Sequence, residues 1–361
     1  MKLIELPLIM NRKIKMNKKI AVVGTGAIGS SVGADLTDAG YDVTIVDQWP
    51  QHVEAMKSSG LHIEMTDLDL KIPVTAYHLC EMASVKPAFD IVFLTSKSYD
   101  TRWLAEFIKP YLKVDGTLVS LQNSMNDDDH ASIIGKERTV GCVIELSAEI
   151  FTPGKVQRNT TRSGTWFAVG ELDGQITERA KELQKILSNV AVTDITENIY
   201  GARWTKLTVN SMTMGPFGVL GLRAAEALQL PGMLDLNVEI GKECLEIGTQ
   251  AGYQIEPVFG LSEDDFAGPI DQVLKTAMKT LQNHTGPKSR TAPIQDHIKN
   301  RKNELEYING LVSKKAKELG IPSPYNDAVA EIARRINRGE LEMDASHYEL
   351  IIELAKKKKS S

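Results

Sequence analysis

Three groups of residues in this sequence have the types and spacing that chemistry needs. The first is Gly24-Thr25-Gly26-Ala27-Ile28-Gly29, which follows the apolar run Ile20–Val23 and opens the helical stretch from Ile28 to Ala39. Asp47 closes a second apolar run 18 residues after Gly29. In a strand–turn–helix setting each part of such a loop has a task. Gly24 allows the tight turn, Gly26 lets the backbone approach a pyrophosphate, and Gly29 lets the helix pack on the strand. The helix N-terminus then presents free N–H groups to phosphate. Asp47 is placed to accept hydrogen bonds from the adenosine ribose, and it would repel a 2′-phosphate, which favours NAD over NADP. The alternative is a glycine-rich turn with no ligand and a surface aspartate.

The second group is Lys206, Asn210 and Met214, spaced by four along an otherwise apolar stretch, so that they share one helix face. Spacing leaves two readings open: polar groups aimed into a site, or a lysine that snorkels to solvent beside an asparagine bonded to backbone. The third group is Gln295 to Gly310, whose charge pattern describes a solvent-exposed helix. Just before it lie Lys288, Arg290 and Thr291, either able to grip a carboxylate or standing as solvated loop groups.

The elements that must position these groups divide the chain. Within 17–195, near-continuous apolar runs at Ile20–Gly24, Tyr41–Asp47, Phe89–Thr95, Gly116–Leu121 and Thr139–Ile144 alternate with helical spacing, as at Thr101 to Leu112. That alternation predicts a parallel sheet covered on both faces. Phe151–Val156 and Thr165–Val169 flank a polar turn and predict an antiparallel hairpin at the sheet edge. Beyond Thr196, amphipathic stretches predict an all-helical second domain over 196–350, with tails at 1–16 and 351–361. The fold class expected is therefore α/β, a Rossmann-type N-terminal domain followed by a helical C-terminal one. Asn126 to Asp129 reads as the cap of a helix.

Composition narrows the classes. The 361 residues carry a formal net charge of −5 with 42% hydrophobic and 25% charged residues, ordinary for a globular protein and without the basic excess of a nucleic-acid binder. No stretch reads as a membrane span or signal peptide, and Met16 is a candidate start besides Met1. The three cysteines form no disulfide framework, which suits a cytoplasmic protein, and the histidines show no paired metal-ligand spacing, so no metal is expected.

Together with Thr95-Ser96-Lys97, Leu121-Gln122-Asn123-Ser124-Met125, Lys206-Leu207-Thr208-Val209-Asn210 and Asn303-Glu304-Leu305-Glu306-Tyr307-Ile308-Asn309-Gly310, the glycine loop resembles the ketopantoate reductase family over about 17–335. The resemblance implies an NAD(P)-dependent oxidoreductase that transfers hydride between nicotinamide and the 2-carbon of a small 2-oxo or 2-hydroxy acid. It implies Lys206 as the catalytic acid, Glu304 as the carboxylate holding the substrate hydroxyl and the lysine, and Asn210 as a substrate ligand. Asn123 would lie by the nicotinamide and the substrate, and Lys97 would line the cofactor cleft. The chemistry is coherent, because a carbonyl receiving hydride builds negative charge on oxygen and needs a positioned donor and then a proton.

Three positions depart from the resemblance. Met214 stands where the family carries a second asparagine, and Ala292 where it carries a serine, so two polar groups that grip a pantoate-type substrate are missing. Asp47 is the third, since the family mostly uses NADP. The reading is an NAD(P)-dependent 2-oxo acid reductase with Arg290 and Thr291 as further substrate ligands, expected as a homodimer. The alternatives are a true 2-dehydropantoate 2-reductase or a catalytically silent NAD-binding regulator.

Overall fold

The apolar runs of the N-terminal half are apolar throughout because both faces of their sheet are covered. The computed structural model describes residues 18–86, 88–259, 261–266, 268–285 and 289–359. The expected tail 1–16 and Lys288 lie outside them. Twelve strands occur among the described residues: β1 (Lys19–Val23), β2 (Asp42–Asp47), β3 (Leu61–Glu64), β4 (Asp69–Ile72), β5 (Thr75–His78), β6 (Phe89–Leu94), β7 (Leu112–Ser120), β8 (Thr139–Glu145), β9 (Ala148–Thr152), β10 (Lys155–Arg158), β11 (Trp166–Glu171) and β12 (Val192–Ile195). Eight form one sheet in the order β12-β11-β8-β7-β6-β1-β2-β5, and β4-β3-β10-β9 form a second.

Alternate residues of β1 serve opposite faces. Ile20 and Val22 enter a core with Val32 and Leu36 of α1 (Ala27–Asp38) and with Ile63 and Val156 of the small sheet. Ala21 and Val23 enter the other core, with Leu104 and Ile108 of α3 (Thr101–Ile108) and Ile133 of α4 (Asp127–Ile134). Helices α2 (Pro50–Ser59) and α5 (Glu178–Leu187) complete this half. From β5 to β8 the neighbours run parallel, and the order reverses between β1 and β6. In open α/β sheets the crevice beyond the strand ends at such a reversal is where ligands bind.

The expected edge hairpin is not what forms. β9 turns into β10 within the small sheet, while β11 pairs antiparallel with β8 inside the large one and β12 lies outside it. Between β10 and β11 the chain crosses from one sheet to the other. The buried Arg158 pins that crossing through Asp35 at 2.5 Å, Thr165 Oγ1 at 2.8 Å and the Val190 carbonyl at 2.9 Å.

After β12 the described residues hold helices and no strand: α6 (Ile199–Leu220), α7 (Ala224–Ala227), α8 (Met233–Gln250), α9 (Glu263–Phe266), α10 (Ile270–Thr285), α11 (Ala292–Ile298), α12 (Asn309–Leu319), α13 (Pro324–Asn337) and α14 (His347–Lys359). α6 is buried almost all round and is the axis of this half, packing Leu207, Met212 and Phe217 against α8, α13 and α14. Two expectations need correction. Residues 351–359 are no tail, since α14 runs to Lys359 with Ile351 and Ala355 in the core, and the last two positions of that expected tail lie outside the described residues. The segment 295–310 is no continuous exposed helix either. α11 stops at Ile298, an irregular turn follows, and Gln295, Asp296, Asn303 and Glu304 are buried.

Candidate active site

Each glycine of the loop has its own spatial reason. Gly24 has φ +78°, and a Cβ there would stand 2.6 Å from Ser96 Cβ, so only glycine lets β1 and the β6 loop approach this closely. A Cβ on Gly29 would lie 2.3 Å from Thr95 Oγ1, whose hydroxyl donates to the carbonyls of Val23 (3.1 Å) and Gly24 (2.9 Å). Gly26 differs: a Cβ there would meet nothing within 4 Å. It is the N-cap of α1, no side chain caps that end, and no acid occupies the first turn. The loop therefore presents a bare backbone cradle and a helix N-terminus to the crevice, as a pyrophosphate requires. Asp47 ends β2 beside it. Its carboxylate accepts the Thr25 hydroxyl at 3.3 Å and the Trp49 N–H at 2.7 Å, with acceptor capacity left for ribose hydroxyls. These residues fit a nicotinamide dinucleotide.

One cavity of about 660 Å³ runs from this cradle to α6, lined by Gly24, Gly26, Asp47, Asn123, Lys206 and Asn210 among others. Asn198 caps α6 by accepting the Gly201 N–H at 3.0 Å. Farther along, Arg203 fixes the helix to the sheet. Its guanidinium grips Asp127 at 2.5 and 2.7 Å and donates to the carbonyls of Gln122 (2.6 Å) and Ser120 (2.8 Å). This is what Asp127 does. Asn126 holds the N-cap position of α4 without a side-chain capping bond, because its Nδ2 donates to Ser98 Oγ (3.1 Å) and the Asn123 carbonyl (2.8 Å).

One turn beyond Arg203, Lys206 is buried with its ammonium against the Glu145 carboxylate and 4.6 Å over the Phe259 ring. Another turn on, Asn210 Nδ2 donates to Asn123 Oδ1 at 3.2 Å, which joins two residues singled out separately. Glu304 is buried in the same cavity but does not hold Lys206. Its carboxylate accepts the Ser98 N–H at 3.2 Å and lies 3.5 Å from Lys97 Nζ, while Asp296 takes Lys97 at 2.8 Å. Burial opposes the charge on Lys97, yet the two carboxylates outweigh it and hold the ammonium's pKa above the usual lysine value. Burial also raises the pKa of Asp296, with Lys97 working against the rise.

Arg290 and Thr291 enter the cavity wall. Glu149 already faces Arg290, accepting its backbone N–H and its Nη1 at 3.0 Å each. Thr291 is the N-cap of α11, and its buried Oγ1 has no hydrogen-bond partner. Met214 and Ala292, the two departures, both line the cavity. Sequence reasoning missed Glu145, Glu149, Lys299 and Arg301. Only Glu145 carried a signal, its place at the C-terminal end of a parallel strand.

Residues 20–173 match the family described as ketopantoate reductase PanE/ApbA, and residues 198–337 match its C-terminal domain. The chain belongs to the ketopantoate reductase family. It is thereby an NAD(P)-dependent oxidoreductase of the ketopantoate reductase type. Relatives named 2-dehydropantoate 2-reductase include one from Pyrococcus horikoshii, 28% identical over 311 residues (85% of this chain, 94% of the relative). Another, from Archaeoglobus fulgidus, is 27% identical over 332 residues (89% and 99%).

Solved structures carry the same fold. A PanE/ApbA family ketopantoate reductase from Ralstonia eutropha JMP134 superposes with TM-score 0.75 at 24% identity, covering 89% of this chain and 99% of that one. A D-mandelate dehydrogenase solved with NADH and anilino(oxo)acetate superposes with TM-score 0.78 at 23% identity, with the same coverage. Within the family frame, Glu145 occupies the place beside the lysine that the resemblance gave to Glu304.

Proposed function

We propose that this cleft interconverts a small 2-oxo acid and its 2-hydroxy acid, with Lys206 as the proton donor and acceptor at the substrate oxygen. The observation that carries the reading is the buried Lys206 ammonium, oriented by Glu145 in the cavity that also holds the Gly26 cradle. Reduced nicotinamide, when bound, supplies the hydride. Negative charge that builds on the carbonyl oxygen then meets a preoriented ammonium in a site shielded from water. Asn210 gives one amide N–H to Asn123, which leaves its second N–H and the Asn123 amide for substrate oxygens. The unpartnered Thr291 hydroxyl suits the substrate carboxylate, with Arg290 behind it partly neutralised by Glu149. In this arrangement Glu304 fixes Lys97 and the Ser98 backbone.

Asp47 supports NAD as the preferred dinucleotide. Met214, Ala292, Ile144, Leu146 and Phe217 in the lining support a substrate with an apolar 2-substituent. The relatives' shared name supports a second reading, a true 2-dehydropantoate 2-reductase with a rearranged grip. Three free cysteines suit a cytoplasmic location. A homodimer through the helical domain, supported by exposed Leu234 and Ile270, is testable by light scattering.

The deciding measurement follows NADH absorbance with a panel of 2-oxo acids that includes ketopantoate, for the native enzyme and Lys206→Ala. Turnover that drops by about 10²–10⁴ in the variant, with NADH affinity kept, is the expected result. Equal turnover in both proteins would remove Lys206 from the chemistry, and NADH binding with no turnover on any acid would favour a silent regulator.

A further inference from the structure

The cations of the cleft fall into two sets. Lys97, Lys206 and Arg290 each face a carboxylate: Asp296 with Glu304, Glu145, and Glu149. Lys299, Arg301 and Lys302 line the same cavity and make no ion pair among the described residues. All three sit on the turn after α11, which the Arg301 N–H closes by donating to the Asp296 carbonyl at 2.8 Å. No carboxylate among the described residues stands at ion-pair distance to neutralise this positive lip of the cleft.

Its position is specific. The Arg301 guanidinium lies 5.4 Å over the Trp49 ring. Trp49 is two residues past Asp47 and donates its N–H to that carboxylate at 2.7 Å. Arg301 and Asp47 also act in opposite directions on the neighbouring buried His52, so both charges reach the same ground. The guanidinium of the helical domain thus stands over the end of β2, where the adenosine ribose of a dinucleotide lies in this fold class. Lys299 sits deeper, 5.6 Å from the Phe151 ring, and burial lowers its pKa to about 8.

An aspartate alone at the end of β2 repels a 2′-phosphate. A planar guanidinium across from it reverses the local balance, because its fork matches a phosphate bidentately and stacks on an aromatic ring at once. We propose that Arg301, with Lys302 beside it, is the phosphate-binding side of the adenosine subsite and lets this enzyme take NADP(H) as well as NAD(H). The assignment rests on the reading that the glycine loop binds a nicotinamide dinucleotide. It makes cofactor choice a property of both domains: Asp47 on the sheet selects the ribose hydroxyl, and Arg301 on the helical domain selects the phosphate.

The test is calorimetric binding of NADPH and NADH to the full-length enzyme, to Arg301→Ala and to Arg301→Lys, at low and raised salt. Arg301 is exposed, so the variants are expected to melt with the native protein. Arg301→Ala should weaken NADPH about tenfold and NADH less than about twofold, with Arg301→Lys between, and salt should weaken NADPH more in the native enzyme than in Arg301→Ala. Unchanged NADPH affinity overturns the assignment. So does an equal loss for both cofactors, which would place the guanidinium on the shared pyrophosphate or on Trp49 alone. NADH binding without NADPH binding to the native enzyme also overturns it and leaves the dinucleotide reading standing, whereas no binding of either cofactor removes both.

Discussion

Lys206 of α6 and Glu145 at the end of β8 form a buried ion pair across the two halves of the molecule. The family resemblance assigns the lysine-holding carboxylate to Glu304, 98 residues along the chain from Lys206, but Glu304 is committed to Lys97 and the Ser98 N–H. Because Glu145 ends a fully buried strand paired on both sides in the large sheet, the lysine is aimed from the core of the N-terminal half.

Glu145→Gln keeps an oxygen near Lys206 but removes the charge. Its kcat should fall about tenfold or more with a smaller change in KM, since the substrate's own contacts remain. Glu145→Asp should recover part of the loss. Glu145→Ala should also cost about 3–5 kcal/mol of stability, because it leaves a buried ammonium unpaired. Steady-state kinetics beside thermal melting separates the two effects, and a Glu145→Gln enzyme with native kcat would show that the pair is structural only.

The glycine loop yields a paired prediction. Gly24→Ala places a side chain at φ +78° against Ser96, and should destabilise the fold by about 2 kcal/mol or more. Gly26→Ala meets no protein atom and should melt within about 0.5 kcal/mol of native. Its Cβ nevertheless fills the cradle, so dinucleotide affinity should fall at least about tenfold. Calorimetry on both variants checks this, and native affinity in Gly26→Ala would mean that the dinucleotide does not lie against this loop.

What the sequence made legible was local. The strand, the glycine loop and Asp47 are read from runs and turn chemistry within about one βαβ unit. Lys206 and Asn210 share a face because a helix repeats every 3.6 residues. The misreadings at the site concern partners distant in the chain. Glu145 meets Lys206 across 61 positions, and Lys97 meets Asp296 across 199. The charges of Asp296 and Glu304 read as solvent-exposed because nothing nearby in the chain announces Lys97, which faces both in the buried site. β10 alternates buried and exposed residues and β11 is buried throughout, and neither pattern says which sheet its strand joins, so the crossing at Arg158 was invisible. The strands between Leu61 and His78 are four residues each, too short to show a period.

Met214 and Ala292 bear on specificity. Both line the cavity, and neither offers a hydrogen bond. Met214→Asn combined with Ala292→Ser restores the family's polar pair at those places. The ratio of kcat/KM for ketopantoate over an apolar 2-oxo acid should rise by about tenfold or more, because buried polar partners left unpaired by an acid without the hydroxyl reject it far more strongly than an apolar pocket rejects an acid that carries one. Paired kinetics on the two acids measures it. An unchanged ratio would locate the specificity elsewhere in the wall.

His130 ties stability to pH. It is buried beneath the Asn123 loop, 2.7 Å from Gln122 Oε1, and burial, with the Arg203 charge adding to it, lowers its pKa to about 3. The folded state therefore keeps the imidazole neutral where the unfolded chain, at about 6.5, has already taken a proton. Below pH 6.5 the unfolded state binds more protons, so this group's contribution to stability is complete above that pH and is lost as the pH falls toward 3. In His130→Gln the fall in melting temperature between pH 6.5 and 4 should be shallower than in the native enzyme, whatever the substitution costs at neutral pH. Parallel melting curves across that window would mean that His130 does not stay neutral in the fold, and that the Asn123 loop is open enough to admit a proton.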